Sequence, residues 1–324
     1  MKSIIKRNGT TVAYDRNKIS KAIAKAFISV NSQASTEQLE DYLNQIEAKL
    51  SDQESCGVEL IQDTVEQVLM KNDQYAVAKS YILYREKRTA LRNQRKELLE
   101  VVKDPDIEPV LVKIQKDFLE YDLEKLAFKF KEMDKDEMDL FRHLDLLIKA
   151  GEEMTSKEEP QWEKIAGRLL SYRFHYQLHQ QEKNLGLNSF YEKVVYLTNE
   201  ELYGDYILQG YSHSEIDEAS GLIDESRNDL FTYSGLDLLI QRYLIINRRH
   251  VVLESPQEMY LGIALHLALK ETKDRLSWVK KYYDMLSLEL VTMATPTMAN
   301  ARKPYHQLSS CFVDTVPDSL EGIY

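Results

Sequence analysis

A mainly α fold with short strands is predicted by three observations. Apolar residues recur at three- and four-residue spacing through most of the chain, Gly and Pro are sparse over long stretches, and a strand-turn-strand pattern stands at the start. A second short strand pattern, near the end, carries a cysteine.

Residues Ser3 to Arg7, Asn8-Gly9 and Thr10 to Ala13 read as a β-hairpin, because Asn-Gly accepts the positive φ of a type I′ turn. Asp15 or Asn17 can cap the following helix, whose apolar positions Ile19, Ala22, Ile23, Ala26 and Phe27 keep helical spacing. Further helices are expected over Thr36 to Leu50, Gly57 to Met70 and Gln74 to Leu99. After Asp104-Pro105 comes an acidic helical region that includes Leu144 to Met154 and Pro160 to Gln181. Leu185 to Gly221 should mix short helices with loops, and its tyrosines (Tyr191, Tyr196, Tyr203, Tyr206, Tyr211) read as packing and hydrogen-bonding groups. Amphipathic segments return over Gly235 to Ile246, Pro256 to Leu269 and Arg275 to Leu290, with Val251 to Glu254 as a strand of a small hairpin. Pro296 and Pro304 prevent a continuous helix, and Leu308 to Val313 reads as a short buried strand delivering Ser309, Ser310 and Cys311 to its end.

At 324 residues and 43% hydrophobic, the chain can build two or three domains with real cores. No apolar run approaches the length of a membrane helix, and MKSIIKRNG lacks the apolar centre of a signal peptide, so a cytoplasmic protein without membrane partners is expected. The two cysteines, Cys56 and Cys311, sit in unrelated contexts, which argues against a disulfide framework or a metal site. A net charge of −11 argues against nucleic-acid binding. The basic cluster Arg85 to Lys96 interleaves with Leu91, Leu98 and Leu99 and reads as a solvated helix face.

Chemistry concentrates at the two ends. Lys6 and Arg7 precede the hairpin turn, and Lys18 lies in the first turn of the next helix, where free N–H groups add positive potential. This combination suits a nucleoside triphosphate; it equally suits a solvated hairpin edge. No GxxxxGK[ST] sequence is present, so the device is not a P-loop. Cys56 reads as a small buried residue. Cys311, set between two serines and an apolar pair, is either a core residue or a reactive thiol, and His306 five residues earlier raises a Cys-His pair as a further alternative.

The order IIKRNGTTVAYDRNKISKAI, VELIQDTVEQVL and YAVAKSYILYREKR resembles an ATP-cone, a regulatory module that senses ATP against dATP, over residues 1–90. The resemblance implies effector contacts from Lys6, with Arg7 adjacent, from the stretch Val12, Ala13, Tyr14, Asp15, Arg16, Asn17 and Lys18, and from Lys87. Val58 and Gln62 stand where many cones have polar residues on the third helix. Farther on, FTYSGLDLLIQRYL, ESPQEMYLGIALHLA, WVKKYYDMLS and ATPTMANARKPYHQLSSCFVDTVPDSLEGIY resemble the opening of the class I ribonucleotide reductase large subunit. The implied domains are the cone (1–90), a helical connector (91–230) and the N-terminal part of the catalytic domain (231–324), whose last element would be the first strand of a ten-stranded α/β barrel.

That resemblance implies a role for each residue of the last segment. Cys311 would be a reductive thiol that, with a partner thiol, supplies two electrons while a thiyl radical on another cysteine activates the ribose. Thr295 and Ser310 would hold the ribonucleoside diphosphate, and Asp318 would contact the ribose of a specificity effector at a dimer interface. No cofactor would be bound directly in this chain; ATP or dATP would act as allosteric effectors, and the radical would come from a small, radical-generating subunit. Further implied partners are a second large chain and thioredoxin or glutaredoxin as reductant. The adenosylcobalamin-dependent class shares the barrel and the thiol and stays open.

Thirteen residues follow Cys311, so the remaining catalytic groups are expected from a C-terminal barrel portion, with the chain either a truncation or half of a split gene product, inactive alone. Two readings compete: a stand-alone ATP- and dATP-sensing module that docks a partner, and a purely helical scaffold.

Overall fold

The computed structural model describes residues 3–7, 9–51, 53–133, 139–311 and 313–323. The chain folds as two compact units, Met1–Gln94 and Arg95–Tyr324.

The first unit opens with β1 (Ser3–Ile5) and β2 (Thr11–Ala13), paired antiparallel with Ile4 opposite Val12. Gly9 takes a positive φ of 79° in the turn, a conformation that glycine adopts without strain; Asn8 lies outside the described residues. Helices α1 (Arg16–Ser29) and α2 (Thr36–Lys49) follow. Asp15 caps α1 by accepting from the Asn17 N–H, and Ser35 caps α2 in a reciprocal box with Gln38. β3 (Ser55–Gly57) then pairs parallel to β1, which places Cys56 opposite Ile4 and gives the order β2-β1-β3. Helix α3 (Val58–Lys71) and the long α4 (Tyr75–Val102) complete the set. Ile23, Leu43, Ile46, Val65, Val68, Leu69 and Ala78, each fully or almost fully buried, form its core.

The second unit is helical: α5 (Glu108–Asp117), α6 (Leu123–Met133), α7 (Leu140–Glu153), α8 (Trp162–Leu185), α9 (Phe190–Asn199), α10 (Tyr206–Gly210), α11 (His213–Ser220), α12 (Tyr233–Arg242), α13 (Pro256–Ala268), α14 (Arg275–Ser287), α15 (Thr295–Asn300) and α16 (Leu320–Ile323). One apolar cluster gathers α5 to α8 around Trp162 and Phe130, a second surrounds α13, and Leu170 on α8 packs against both. Gly167 lets α8 approach the start of α12: a Cβ there would lie 2.8 Å from backbone atoms of Thr232 and Tyr233.

Three expectations are corrected. Helix α13 is not amphipathic; every residue from Pro256 to Leu265 is buried, with α14 and the turn over Glu225–Leu230 packed against it. Val251 to Glu254 does not form a hairpin strand, and only an isolated bridge joins Ile246 and Val252. The buried strand over Leu308 to Val313 is not formed. Leu308 to Cys311 and Val313 enter no strand pairing, Cys311 and Val313 are exposed, and Phe312 lies outside the described residues. A strand persists only where its backbone groups find a ladder, and all described strands lie within residues 3–57.

Candidate functional site

In the first unit the hairpin and α1 set the cationic residues out, and carboxylates from α2 and α3 meet several of them. Arg7 donates from Nε to Glu59 and from Nη2 to Gln62 Oε1 at 2.9 Å. Glu59 also accepts from Arg85 Nη2 at 2.6 Å, while Arg85 Nη1 reaches Asp63 at 2.5 Å and Glu66 at 2.8 Å. The hydrogen bond from Arg7 is the main cause of a Glu59 carboxyl held below its ordinary range, with Arg85 adding to it. Burial works against the Arg85 cation, but its three carboxylates outweigh that and stabilise it. The basic cluster therefore does not begin with a solvated residue, for the Arg85 side chain is only 20% exposed.

Of the other expected effector contacts, Arg16 is tied to α2, 2.6 Å from Asn44 and 3.1 and 3.3 Å from Glu40 and Glu47. The Tyr14 hydroxyl donates to Glu47 at 3.0 Å, and burial together with that bond raises its pKa. Asp15 caps α1 and lies 3.9 Å from Lys18, which is largely exposed. Val12 is half-buried, whereas Lys6, Ala13, Asn17 and Lys87 are exposed, and Lys6 and Lys87 make no ion pair among the described residues. Lys87 follows Arg85 by two positions and so faces another side of α4. Cys56 is buried in β3, and burial raises its thiol pKa, which disfavours the thiolate.

Sequence reasoning missed the Glu59, Asp63, Glu66 and Arg85 network. Its signal was present, since the three acids recur at i, i+4 and i+7 on one face of α3.

In the second unit the segment that leads to Cys311 is anchored from beneath. Arg302 is fully buried, with Nε 2.9 and 3.1 Å from the two Glu254 oxygens, Nη1 2.7 Å from the Met298 carbonyl and Nη2 2.8 Å from that of Tyr243. Glu254 also accepts the Ile245 N–H at 2.7 Å. The Arg302 carbonyl accepts the Gly204 N–H at 2.9 Å, and the Tyr206 hydroxyl donates to the Ala301 carbonyl at 2.7 Å. Downstream, Asn300 Nδ2 holds the Gln307 carbonyl at 3.0 Å.

Above this anchor, Thr295 Oγ1 lies 3.3 Å from the Tyr243 hydroxyl, and Ser310 Oγ is 3.7 Å from Cys311 Sγ. Ser309 donates to the Cys311 carbonyl at 2.8 Å. Thr295, Ser310, Cys311 and Asp318 are all exposed. His306 does not join Cys311; its ring packs against Tyr206 and His266, with centroids 4.7 and 5.4 Å away. Arg302 and Glu254 were not foreseen.

The architecture is a three-stranded, four-helix unit followed by a helical unit that ends in an anchored, thiol-bearing segment. The ATP cone domain family matches residues 2–90, and the all-alpha domain of ribonucleotide reductase matches residues 229–306. The ribonucleoside-diphosphate reductase subunit alpha of Treponema pallidum (strain Nichols) is 49% identical over 99% of this chain, which covers 39% of that protein. The Chlamydia muridarum subunit alpha is 31% identical over 99% of the chain, which covers 34% of it. The Synechocystis sp. subunit alpha is 37% identical over 56% of the chain and 23% of its own length. The chain is similar over nearly its whole length to the N-terminal part of these alpha subunits, and spans about two fifths of the length of its Treponema relative. No helix among the described residues is long and apolar enough to cross a membrane.

Proposed function

We propose that this chain is the effector-binding and substrate-entry portion of a ribonucleoside-diphosphate reductase large subunit of class I, with Cys311 as one of the two reductive thiols. The observation that carries this reading is the exposed Cys311 thiol at the end of a segment pinned by the buried Arg302–Glu254 pair. In the chemistry so assigned, a thiyl radical on another cysteine of the complete enzyme takes the ribose 3′ hydrogen and the 2′-hydroxyl leaves as water. Cys311 and a partner thiol then give up two electrons and close a disulfide. Thr295 and Ser310 are assigned to the substrate as neutral donors that fix position. Asp318 is assigned to the ribose of a specificity effector, across an interface between two large chains.

ATP or dATP would bind the first unit through Lys6, Arg7, the Val12 to Lys18 stretch and Lys87, the site of allosteric control. The radical would come from a small subunit and the reducing equivalents from thioredoxin or glutaredoxin, in the cytoplasm. The segment Leu308 to Val313 would become the first barrel strand once further strands supply its ladder. The three domains would then be 1–90, 91–230 and 231–324.

The test is to supply the chain with the remaining C-terminal portion of a large subunit, a radical-generating subunit and a reductant. Ribonucleoside diphosphate should be reduced, and Cys311→Ser should abolish turnover. If ATP binds but turnover never depends on Cys311, the chain is instead a nucleotide sensor that docks a partner, a reading favoured by the separate core of the first unit.

A further inference from the structure

Arg7, the cation beside the hairpin turn, is already engaged. Its Nε donates to Glu59 and its Nη2 to Gln62 at 2.9 Å. The second Glu59 oxygen is 2.6 Å from Arg85, and Arg85 is held independently by Asp63 at 2.5 Å and Glu66 at 2.8 Å. The contact with Arg7 is open to solvent, with the two side chains 36% and 52% exposed, so the carboxylate can leave it without a rearrangement of the core. Arg85, at 20% exposed, is the fixed member of the group.

We propose that Glu59 is an affinity-determining residue of the triphosphate site: its carboxylate occupies the donors of Arg7 that a phosphate oxygen would take, and is retained by Arg85 alone when the nucleotide binds. This deepens, and rests on, the reading of the hairpin as the triphosphate site. Carboxylate and phosphate oxygens compete for the same planar set of guanidinium donors. While Glu59 holds Arg7, only the fraction of molecules with that contact open is competent to bind, so the apparent affinity falls by that fraction. Because Arg85 keeps the displaced carboxylate paired, opening breaks one contact of the group and leaves no stranded charge. Glu66 touches Arg85 but not Arg7, and so distinguishes direct competition from the general negative field of α3.

Calorimetric titration of magnesium ATP into the full chain tests this, comparing the unaltered protein with Glu59→Gln, Glu59→Ala and Glu66→Gln. Both Glu59 variants should bind about three- to fivefold more tightly, the range expected for removing a competing, solvent-exposed pair, while Glu66→Gln leaves the affinity near that of the parent. Equal tightening in Glu66→Gln, or none in the Glu59 variants while the parent binds ATP, would overturn the role of Glu59 alone. If neither the parent nor any variant binds ATP, the triphosphate reading fails and this inference falls with it. Binding in the Glu59 variants without binding in the parent would be its strongest support.

Discussion

Arg302 and Glu254 form an ion pair sealed inside the second unit, their side chains 0% and 1% exposed, with every remaining arm of the guanidinium on a backbone carbonyl. Through Met298, Tyr243, Gly204 and Ile245 this one pair ties together the chain before α13, the loop ahead of α10 and the segment leading to Cys311.

Breaking one member of such a pair strands the other. Arg302→Met should destabilise the second unit by about 3–5 kcal/mol, since it leaves Glu254 buried without its counter-charge. Arg302→Lys should recover little, because an ammonium cannot meet the carboxylate and two carbonyls in that planar arrangement. Urea unfolding curves check this; a loss under about 1 kcal/mol for the Met variant would show that the pair is not structurally required.

Lys6→Ala combined with Lys18→Ala should weaken triphosphate binding by about 2–4 kcal/mol, through the loss of two charge-assisted contacts. Calorimetry reads the change directly. Unaltered affinity in the double variant would remove both lysines from the site.

The two thiols should differ sharply in reactivity. Cys311 is exposed and Cys56 is buried in β3. An aromatic disulfide reagent should titrate one thiol of the native chain quickly and the other only on unfolding, and Cys311→Ser should erase the fast phase. A fast phase that survives this substitution would mean that β3 opens readily.

His175 and Glu225 give the second unit a pH dependence. Burial opposes the His175 charge, but the Glu225 carboxylate 2.9 Å away and the Ser171 carbonyl outweigh it and hold the imidazole pKa above its ordinary 6.5. A raised folded pKa gives stability that is full below the unfolded value and is lost as pH rises through the folded one. The unit should therefore lose stability as pH rises from about 6.5 through the raised folded value, and His175→Gln should flatten that slope. His266, whose pKa is lowered by burial and by His306, acts in the opposite sense only below that range. A slope unaltered in His175→Gln would assign the effect elsewhere.

Gly167→Ala should cost about 1–3 kcal/mol, because the added methyl meets backbone rather than a side chain that can move aside. Thermal unfolding measures it, and a neutral result would mean that α8 and α12 separate easily.

The local elements were legible because their determinants are local. Ile19, Ile23, Ala26 and Phe27 line one side of α1, and Asp15 caps it, all within one short stretch. Leu308 to Cys311 and Val313 enter no ladder here, because a strand depends on partners that its own composition does not specify. Arg302 and Glu254 escaped notice for a related reason: 48 residues separate them, and nothing in either neighbourhood signals that a guanidinium will be buried. At the hairpin the cations were readable as cations, but that Glu59 would cover Arg7 depends on how α3 stands against the hairpin.

Cys311 is proposed to deliver electrons to a ribonucleotide. A single turnover of the completed enzyme, run without external reductant and followed by peptide mapping, tests it most directly. Deoxynucleotide should form together with a disulfide at Cys311, and Cys311→Ser should give no product; product formed while the Cys311 thiol stays free would contradict the assignment.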